Sequence, residues 1–390
     1  MRIKLVLLSL LFFGTAKAQL QPFDAWIQEC NLDSLKQQVK NLTGVDTVLI
    51  NGIKQTIGSR YMDQPGNAKA ASYLKAELER FGYTTNTQSF SALGQNIIAK
   101  KTGSLYPDKA FFLTAHYDAI AVPFSLAIGA DDNASGCAAV LEMARILQDK
   151  TLPYTVYFAF FDEEEQGLIG SEAYAGSFDF QGTEVQAVLN LDMIANDRNN
   201  DRVMELHARP YGNSLELAEK IQKLNDSFDI GLTIEIRNPG TTASDHSSFW
   251  DQGVTAILFI EDAQDFNPYY HTRFDSIQYF NDSFFLQNTQ LALASLGWFG
   301  GQADSRLSTE TALDLKVKFF PNPTQGLVYM ELPQNGSISV YDAQGKHVQT
   351  ETVTEGNSPL NLHAYQAGLY FVVYTTESGQ SSSKRLILQP

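Results

Sequence analysis

The sequence predicts an α/β fold: a mostly parallel, twisted sheet flanked by helices, followed by a small all-β sandwich. Three observations carry this reading. Runs of strand length such as TVYFAFF (155–161) and FFLTA (111–115) are apolar on consecutive residues, so both faces of those strands are covered. Stretches with helical periodicity separate them, which requires crossover connections. After Trp298 the pattern changes to short β-runs punctuated by Gly, Pro and Asn.

The elements follow in order. Met1-Arg2-Ile3-Lys4 is a basic start, residues 5–14 are an apolar stretch too short to span a bilayer, and Ala16-Lys17-Ala18 is a small-x-small pattern. Residues 1–18 are therefore expected to be a signal peptide that is cleaved on export. Residues 19–300 read as one α/β domain. Its first clear helix, 67–81, aligns Ala71, Leu74, Leu78 and Phe81 and stops at Gly82. Strands are expected at 96–99, 111–115, 155–161, 185–191 and 256–260, with helices at 134–147, 214–224 and 284–296 between and after them. Whether residues 19–45 are a pro-segment or a fixed arm stays open. The polar segment 301–316 reads as a linker, and residues 317–390 as the β-sandwich. No other apolar run reaches transmembrane length.

Composition narrows the function classes. The 390 residues carry a formal net charge of −16, which argues against a nucleic-acid partner. There are two cysteines, Cys30 and Cys137; Cys137 lies among small apolar residues and reads as a core thiol, and pairing of the two is left open. No cysteine spacing suggests a zinc knuckle.

Chemistry gathers just past the strands. FDEEEQGLIGS (161–171) sets acids in a row behind an apolar strand, and buried like charges need a cation. His116-Tyr117-Asp118 follows one strand, Glu164-Glu165 a second and Asp192 a third; Asp131-Asp132-Asn133 precedes the helix at 134, and Asp245-His246 precedes the strand at 256. Each alone has a structural reading, as a helix cap or a solvated loop. Together they sit where open α/β sheets bind ligands, beyond the carboxyl ends of the strands. Histidine and carboxylate without thiolate suit catalytic zinc, and two ions about 3.5–4 Å apart can share one carboxylate. Glu163 has no assigned role and is expected to be solvated or to accept from a backbone donor.

In this order the motifs resemble the secreted di-zinc aminopeptidases of metallopeptidase family 28: His116-Tyr117-Asp118, GADDNASG (129–136), Glu164-Glu165-Gln166-Gly167-Leu168, Leu191-Asp192-Met193 and Ser244-Asp245-His246. Gly58-Ser59-Arg60, Pro65-Gly66-Asn67, Asn267-Pro268, His271-Thr272 and Asp275 extend the likeness over about residues 55–297. The resemblance implies a zinc-exopeptidase fold, two zinc ions and peptide substrates with a free N-terminus. It implies His116 and Asp192 at one ion, Glu165 and His246 at the other, and Asp132 between them. It further implies Glu164 as general base, Asp118 as the carboxylate that orients His116, and a cis peptide after Asp132. His271 is divided evenly between shaping the substrate pocket and a structural bond to Asp275; His207 reads as structural. A glutaminyl-peptide cyclotransferase with one zinc on the same fold is the alternative, and a catalytically dead zinc-binding or receptor-like relative is the other. Such relatives lose a ligand or the base, and none is missing here.

Residues 320–324 (FPNPT), 340–346 (VYDAQGK), 367–370 (AGLY) and 384–388 (KRLIL) resemble the type IX secretion sorting domain of Bacteroidetes bacteria. That resemblance implies recognition by secretion machinery, export through the periplasm, and a secreted or cell-surface location, with removal of residues 317–390 left open. His347 and His363 in this segment have no acidic cluster around them and are assigned no chemistry.

Overall fold

The computed structural model describes residues 23–301, 317–343, 345–377 and 381–390. The expected signal peptide, 1–18, and residues 302–316 of the expected linker lie outside the described residues. Helices α1 (Phe23–Gln28) and α2 (Leu32–Leu42) come first, then a hairpin of β1 (Thr47–Ile50) and β2 (Ile53–Thr56). Next are α3 (Pro65–Arg80), β3 (Thr84–Ser89), β4 (Gln95–Lys101), β5 (Tyr106–His116), α4 (Gly136–Leu147) and β6 (Tyr154–Phe161). The unit continues through α5 (Ile169–Ser177), β7 (Glu184–Leu191), β8 (Val203–His207), α6 (Ser214–Ser227) and β9 (Thr233–Arg237). It ends with α7 (His246–Asp251), β10 (Ala256–Glu261) and α8 (Asp282–Gly301). Gly301, expected in the linker, is thus the last residue of a helix.

One eight-stranded sheet runs β3-β4-β6-β5-β7-β10-β8-β9. The inner four, β6, β5, β7 and β10, are mutually parallel. Antiparallel pairing enters at β4 on one side and β8 on the other. The inner strands carry consecutive apolar residues in their buried stretches because each face has its own core. On β5, Phe111, Leu113 and Ala115 join the cluster under α2, α3, α4 and α8, while Ala110 and Phe112 join the one under α5 and α7. Each fully buried phenylalanine contributes roughly 1.5–3 kcal/mol. The outer strands lack this signal; β3 reads TTNTQS and is largely accessible. That is why sequence periodicity passed over β3 and β9, while β8, VMELH, is buried at its centre but is five residues long with a glutamate in the middle.

The N-terminal arm is part of this packing. Asn31 caps α2 by accepting from the Ser34 amide at 3.0 Å. Leu35, Val39 and Leu42 are completely buried, and the Asn31 amide and Ser34 hydroxyl both donate to the Glu142 carboxylate, at 2.8 and 2.7 Å. Cys30 and Cys137 are both free thiols; Cys137 is buried and its Sγ–H donates to the His116 carbonyl at 3.0 Å.

The C-terminal unit comprises β11 (Lys318–Phe320), β12 (Leu327–Leu332), β13 (Gly336–Asp342), β14 (His347–Val353), β15 (Gly356–Asn361), β16 (Gly368–Thr376) and β17 (Ser381–Leu388). Its strands pair antiparallel in two sheets, β11-β12-β15 and β14-β13-β16-β17. Val328, Met330 and Leu360 from one sheet meet Ile338, Val340 and Val372 from the other in a core of their own.

Arg60 ties the loops at the edge of the large sheet. It is completely buried, and its guanidinium donates to the carbonyls of Tyr117 (2.6 Å), Leu42 (3.2 Å), Gly129 (2.8 Å) and Ile128. Arg60→Met keeps the volume but removes the guanidinium from all four carbonyls, of which that of Gly129 still accepts from the Ala134 amide at 3.1 Å. Urea unfolding of that variant is expected to show a loss on the order of 3–5 kcal/mol; a loss under about 1 kcal/mol would mean the carbonyls find other donors.

Candidate metal centre

The parallel register brings the carboxyl ends of the inner strands level, with His116 opposite Phe161 and Phe259 opposite Leu191. Residues just beyond those ends therefore converge. His116 is the last residue of β5, and Asp192 follows β7 directly. Asp132 arrives from the turn before α4, which is unusually built. The Asp132–Asn133 peptide is cis. Asn133 Nδ2 donates to the Leu191 carbonyl at 2.8 Å. A Cβ at Gly136 would lie 2.3 Å from that same carbonyl, so only glycine fits there. Asp275 accepts from the amides of Asp131 (3.0 Å) and Asp132 (3.0 Å), fixing the turn from the far side.

Two groups of donors result, and they share one carboxylate. His116 Nε2 lies 3.2 Å from Asp132 Oδ1 and 3.2 Å from Asp192 Oδ1. His271 Nε2 lies 3.3 Å from Asp132 Oδ2 and 2.9 Å from Glu165 Oε2. His116–Asp132–Asp192 and Asp132–Glu165–His271 are the groupings of this kind among the described residues. A tetrahedral ion with zinc's bonds of about 2.0–2.1 Å sets its ligand atoms roughly 3.3 Å apart. The observed spacings match, and the donors are imidazole nitrogens and carboxylate oxygens, so the residues fit zinc. The Asp132 carboxylate turns one oxygen to each group.

The supports are equally specific. Asp118 Oδ1 lies 3.3 Å from His116 Nδ1, which orients the ring. The same carboxylate accepts from the amides of Glu164 and Glu165, each at 3.2 Å, so it also places the acidic loop. Asp192 Oδ2 accepts from the Ser244 hydroxyl at 2.6 Å, and Asn190 Nδ2 donates to that hydroxyl at 2.8 Å. Glu165 Oε1 accepts from the Ile120 amide at 3.2 Å. The acidic loop turns through positive φ at Glu163 (55°), before Glu164 and Glu165, and at Gly167 (104°) and Leu168 (62°), after them.

Three readings need correction. His246 was expected in the second group, and it is in neither. It opens α7, is fully buried, packs edge-on to Trp250 at 4.3 Å and donates from Nε2 to the Thr241 carbonyl at 3.0 Å. Burial pushes its pKa down to about 3, so it stays neutral. His271 takes the place instead, held in a left-handed conformation (φ 56°) with Tyr270 stacked on it at 3.6 Å. It makes no bond to Asp275, whose carboxylate serves the Asp131 and Asp132 amides. Applying the carboxyl-end rule to β10 as to the other strands selects the loop after Glu261, which carries His271. Glu163, read as solvated or bonded to a backbone donor, is buried and accepts from the Ser91 hydroxyl at 2.8 Å.

Asp162 escaped notice in the sequence. It is completely buried and accepts from Asn67 Nδ2 (2.6 Å), the Tyr117 hydroxyl (2.8 Å) and the Gln95 amide (3.2 Å), which anchors the root of the acidic loop. Nothing in a strand-ending Phe-Asp marks such a role. His207 bonds Glu205 Oε2 through Nε2 at 2.8 Å and accepts from the Thr241 amide at Nδ1. A cavity of about 240 Å³ runs from Asp132, Glu164 and Asp192 to His207, walled by Met193, Ile260, Phe266 and Tyr270.

Electrostatics demands a counter-charge. Burial, and then the Asp132 charge, push the Glu165 pKa up to about 8. Burial also holds Glu164 well above the ordinary carboxylate range, against the pull of His116. Burial disfavours the His271 imidazolium, yet Asp132 and Glu165 carry its pKa up to about 10. Raised values mean that stability is full below the unfolded pKa and is lost as pH rises, through about 8 for Glu165 and about 10 for His271. Chelator-treated protein is therefore expected to melt roughly 5 °C or more lower at pH 9 than at pH 6. Added zinc, which needs deprotonated ligands, should raise the melting temperature more at pH 9 than at pH 6. Calorimetry at the two pH values checks both; a zinc response independent of pH would contradict the assignment of the ligands.

Both units of the chain resemble known proteins. A family model described as "Peptidase family M28" matches residues 96–296, and one described as "Secretion system C-terminal sorting domain" matches residues 318–389. Aminopeptidase YwaD of Bacillus subtilis (strain 168) is 30% identical over 282 residues, covering 68% of this chain and 55% of that protein. The chain spans a little over half the length of this and two further curated relatives, and less than half of others it matches. Among solved structures, the LapA aminopeptidase of Legionella pneumophila superposes with a TM-score of 0.62 at 22% identity, covering 73% of this chain and 76% of that one. Porphyromonas gingivalis glutaminyl cyclase superposes with a TM-score of 0.58 at 19% identity, covering 69% and 98%. Both structures show the shared α/β fold. With the match to the family model spanning more than half of its length, the chain belongs to peptidase family M28.

Proposed function

We propose that the chain is an exported zinc aminopeptidase that hydrolyses the first peptide bond of substrates with a free N-terminus. The observation that carries this is the Asp132 carboxylate, which offers one oxygen to each of two His–carboxylate groups, with Glu164 lining the same cleft. On this reading His116 and Asp192 hold one zinc, Glu165 and His271 hold the other, and Asp132 serves both. Bound there, zinc supplies Lewis acidity and brings the pKa of a water towards about 7. The Glu164 carboxylate takes the proton from the attacking water and returns it to the nitrogen of the leaving amine. Burial raises the proton affinity of Glu164, which suits a group that must accept and give back one proton near neutral pH. Asp118 acts indirectly: it orients the His116 ring and holds the backbone that carries Glu164.

The cleft of about 240 Å³, walled by Met193, Ile260, Phe266 and Tyr270, gives room for a substrate side chain beside the two donor groups. The glutaminyl cyclase reading needs one metal; the second donor group, complete with His271, favours the hydrolase. Free glutamine released from a glutaminyl peptide, with two zinc ions per chain, is the expected outcome. Pyroglutamyl product with one zinc would establish the cyclase instead.

The C-terminal unit, with its match to a sorting-domain family, supports export to the cell surface or the medium through secretion machinery. No helix among the described residues is long and apolar enough to cross a membrane. Mass analysis of the exported chain would show whether residues 317–390 are removed.

Glu164→Gln is expected to retain its zinc while kcat falls about 10²–10⁴-fold; unchanged turnover would remove Glu164 from the reaction. His271→Ala is expected to halve the zinc content measured by atomic emission, whereas His246→Ala keeps both ions. Loss of metal from His246→Ala alone would reverse the placement made here.

A further inference from the structure

Strand β16 is apolar on both faces, which a two-layer sandwich does not explain. Tyr370, Val372 and Tyr374 point into the sandwich core. Leu369, Phe371 and Val373 point the other way, joined by Tyr341 of the neighbouring β13. An outward apolar strip of this kind on an isolated domain would face water. Here Phe371 and Val373 are 1% and 7% exposed, because Tyr211 of the larger domain covers them.

We propose that the outer face of this sheet is a docking surface whose partner is the α/β domain of the same chain, and that docking stiffens the wall of the substrate cleft. Tyr211 stacks on Phe371 with centroids 4.6 Å apart and planes 16° apart, and meets Tyr341 at 5.5 Å. Arg385 of β17 donates to Gln252 Oε1 at 3.1 Å beside it. The contact continues inward. Arg209, 2% exposed, donates to the Tyr211 hydroxyl and lays its guanidinium over the Trp250 ring at 4.3 Å. Trp250 packs on His246, His246 donates to the Thr241 carbonyl, and the Thr241 amide donates to His207. Thr241 and His207 line the cleft. The buried His246, displaced from the metal centre, is thus a strut between the docked domain and the cleft wall. None of these contacts touches a metal-binding group, so docking bears on substrate binding rather than on the reacting atoms; this last step rests on the aminopeptidase reading, the docking does not.

Hydrogen–deuterium exchange on the full-length, zinc-loaded chain tests the docking without reference to activity. Phe371→Ser is expected to speed exchange of the amides at 207–211 and 241–254, and to leave those at 116–120 unchanged. Tyr211→Ser guards against simple misfolding of the sandwich: it should expose β16 from the opposite side while both domains keep their own cores. In both variants KM for a peptide amide should rise roughly 3- to 10-fold, the size of coupling carried through packed side chains, with kcat within about two-fold and zinc content intact. Exchange unchanged in both variants would overturn the docking surface. Faster exchange with unaltered KM would keep the surface and overturn its link to the cleft. Absence of peptidase activity in the wild-type chain would strike the functional reading alone.

Discussion

One carboxylate facing two ways is the constraint around which the carboxyl edge of the sheet is arranged. Asp132 cannot present both oxygens from an ordinary helix start, so the chain before α4 is bent and pinned from three directions. Arg60 draws in the carbonyls of Ile128 and Gly129. Asp275, 143 residues further on, accepts the amide of Asp132 itself. Asn133 reaches across to the end of β7. A buried arginine and a buried aspartate, each costly by itself, are held here because each satisfies several backbone groups at once.

The acids of this edge share a composition and differ in what they touch. Asp192 and Glu165 approach imidazole nitrogens with one oxygen and accept from Ser244 or Ile120 with the other. Asp118 and Asp162 face ring and backbone donors and so act as scaffolding for the loop at 163–168. Glu163 is absorbed by Ser91. Glu164 remains in the cleft, raised in proton affinity by burial. The row Asp162-Glu163-Glu164-Glu165 thus yields an anchor, a buried acceptor, a carboxylate in the cleft and a partner of His271 from four adjacent acids, with the chain turned by positive φ at Glu163 inside the row and at Gly167 and Leu168 just beyond it.

The exchange of His246 for His271 shows where reading by pattern fails. Ser-Asp-His stands beside an apolar strand and has the look of a ligand motif, whereas NPYYHTRFD has the look of a loop. Burial decides between them. His246 is walled in by Trp250 and committed to Thr241, and no carboxylate faces it. His271 sits on an irregular loop that β10 delivers to the carboxyl edge, with a left-handed backbone that aims its ring at Asp132 and Glu165.

From the sequence by itself came the layered fold, the inner strands and the edge where chemistry collects. Consecutive apolar residues require cover on both faces, and polar residues can follow only where a strand leaves the core. His116, Asp118, Glu164, Glu165 and Asp192 stand out in the sequence because each lies within a few residues of such an exit, and Asp132 because it lies just before a helix start. Tertiary structure alone decided which histidine completes the second group, that Asp162 is scaffold, and what covers the second apolar face of β16. Those are contacts between segments 95 to 160 residues apart, and no local period in a chain encodes which distant side chain will arrive at a given point.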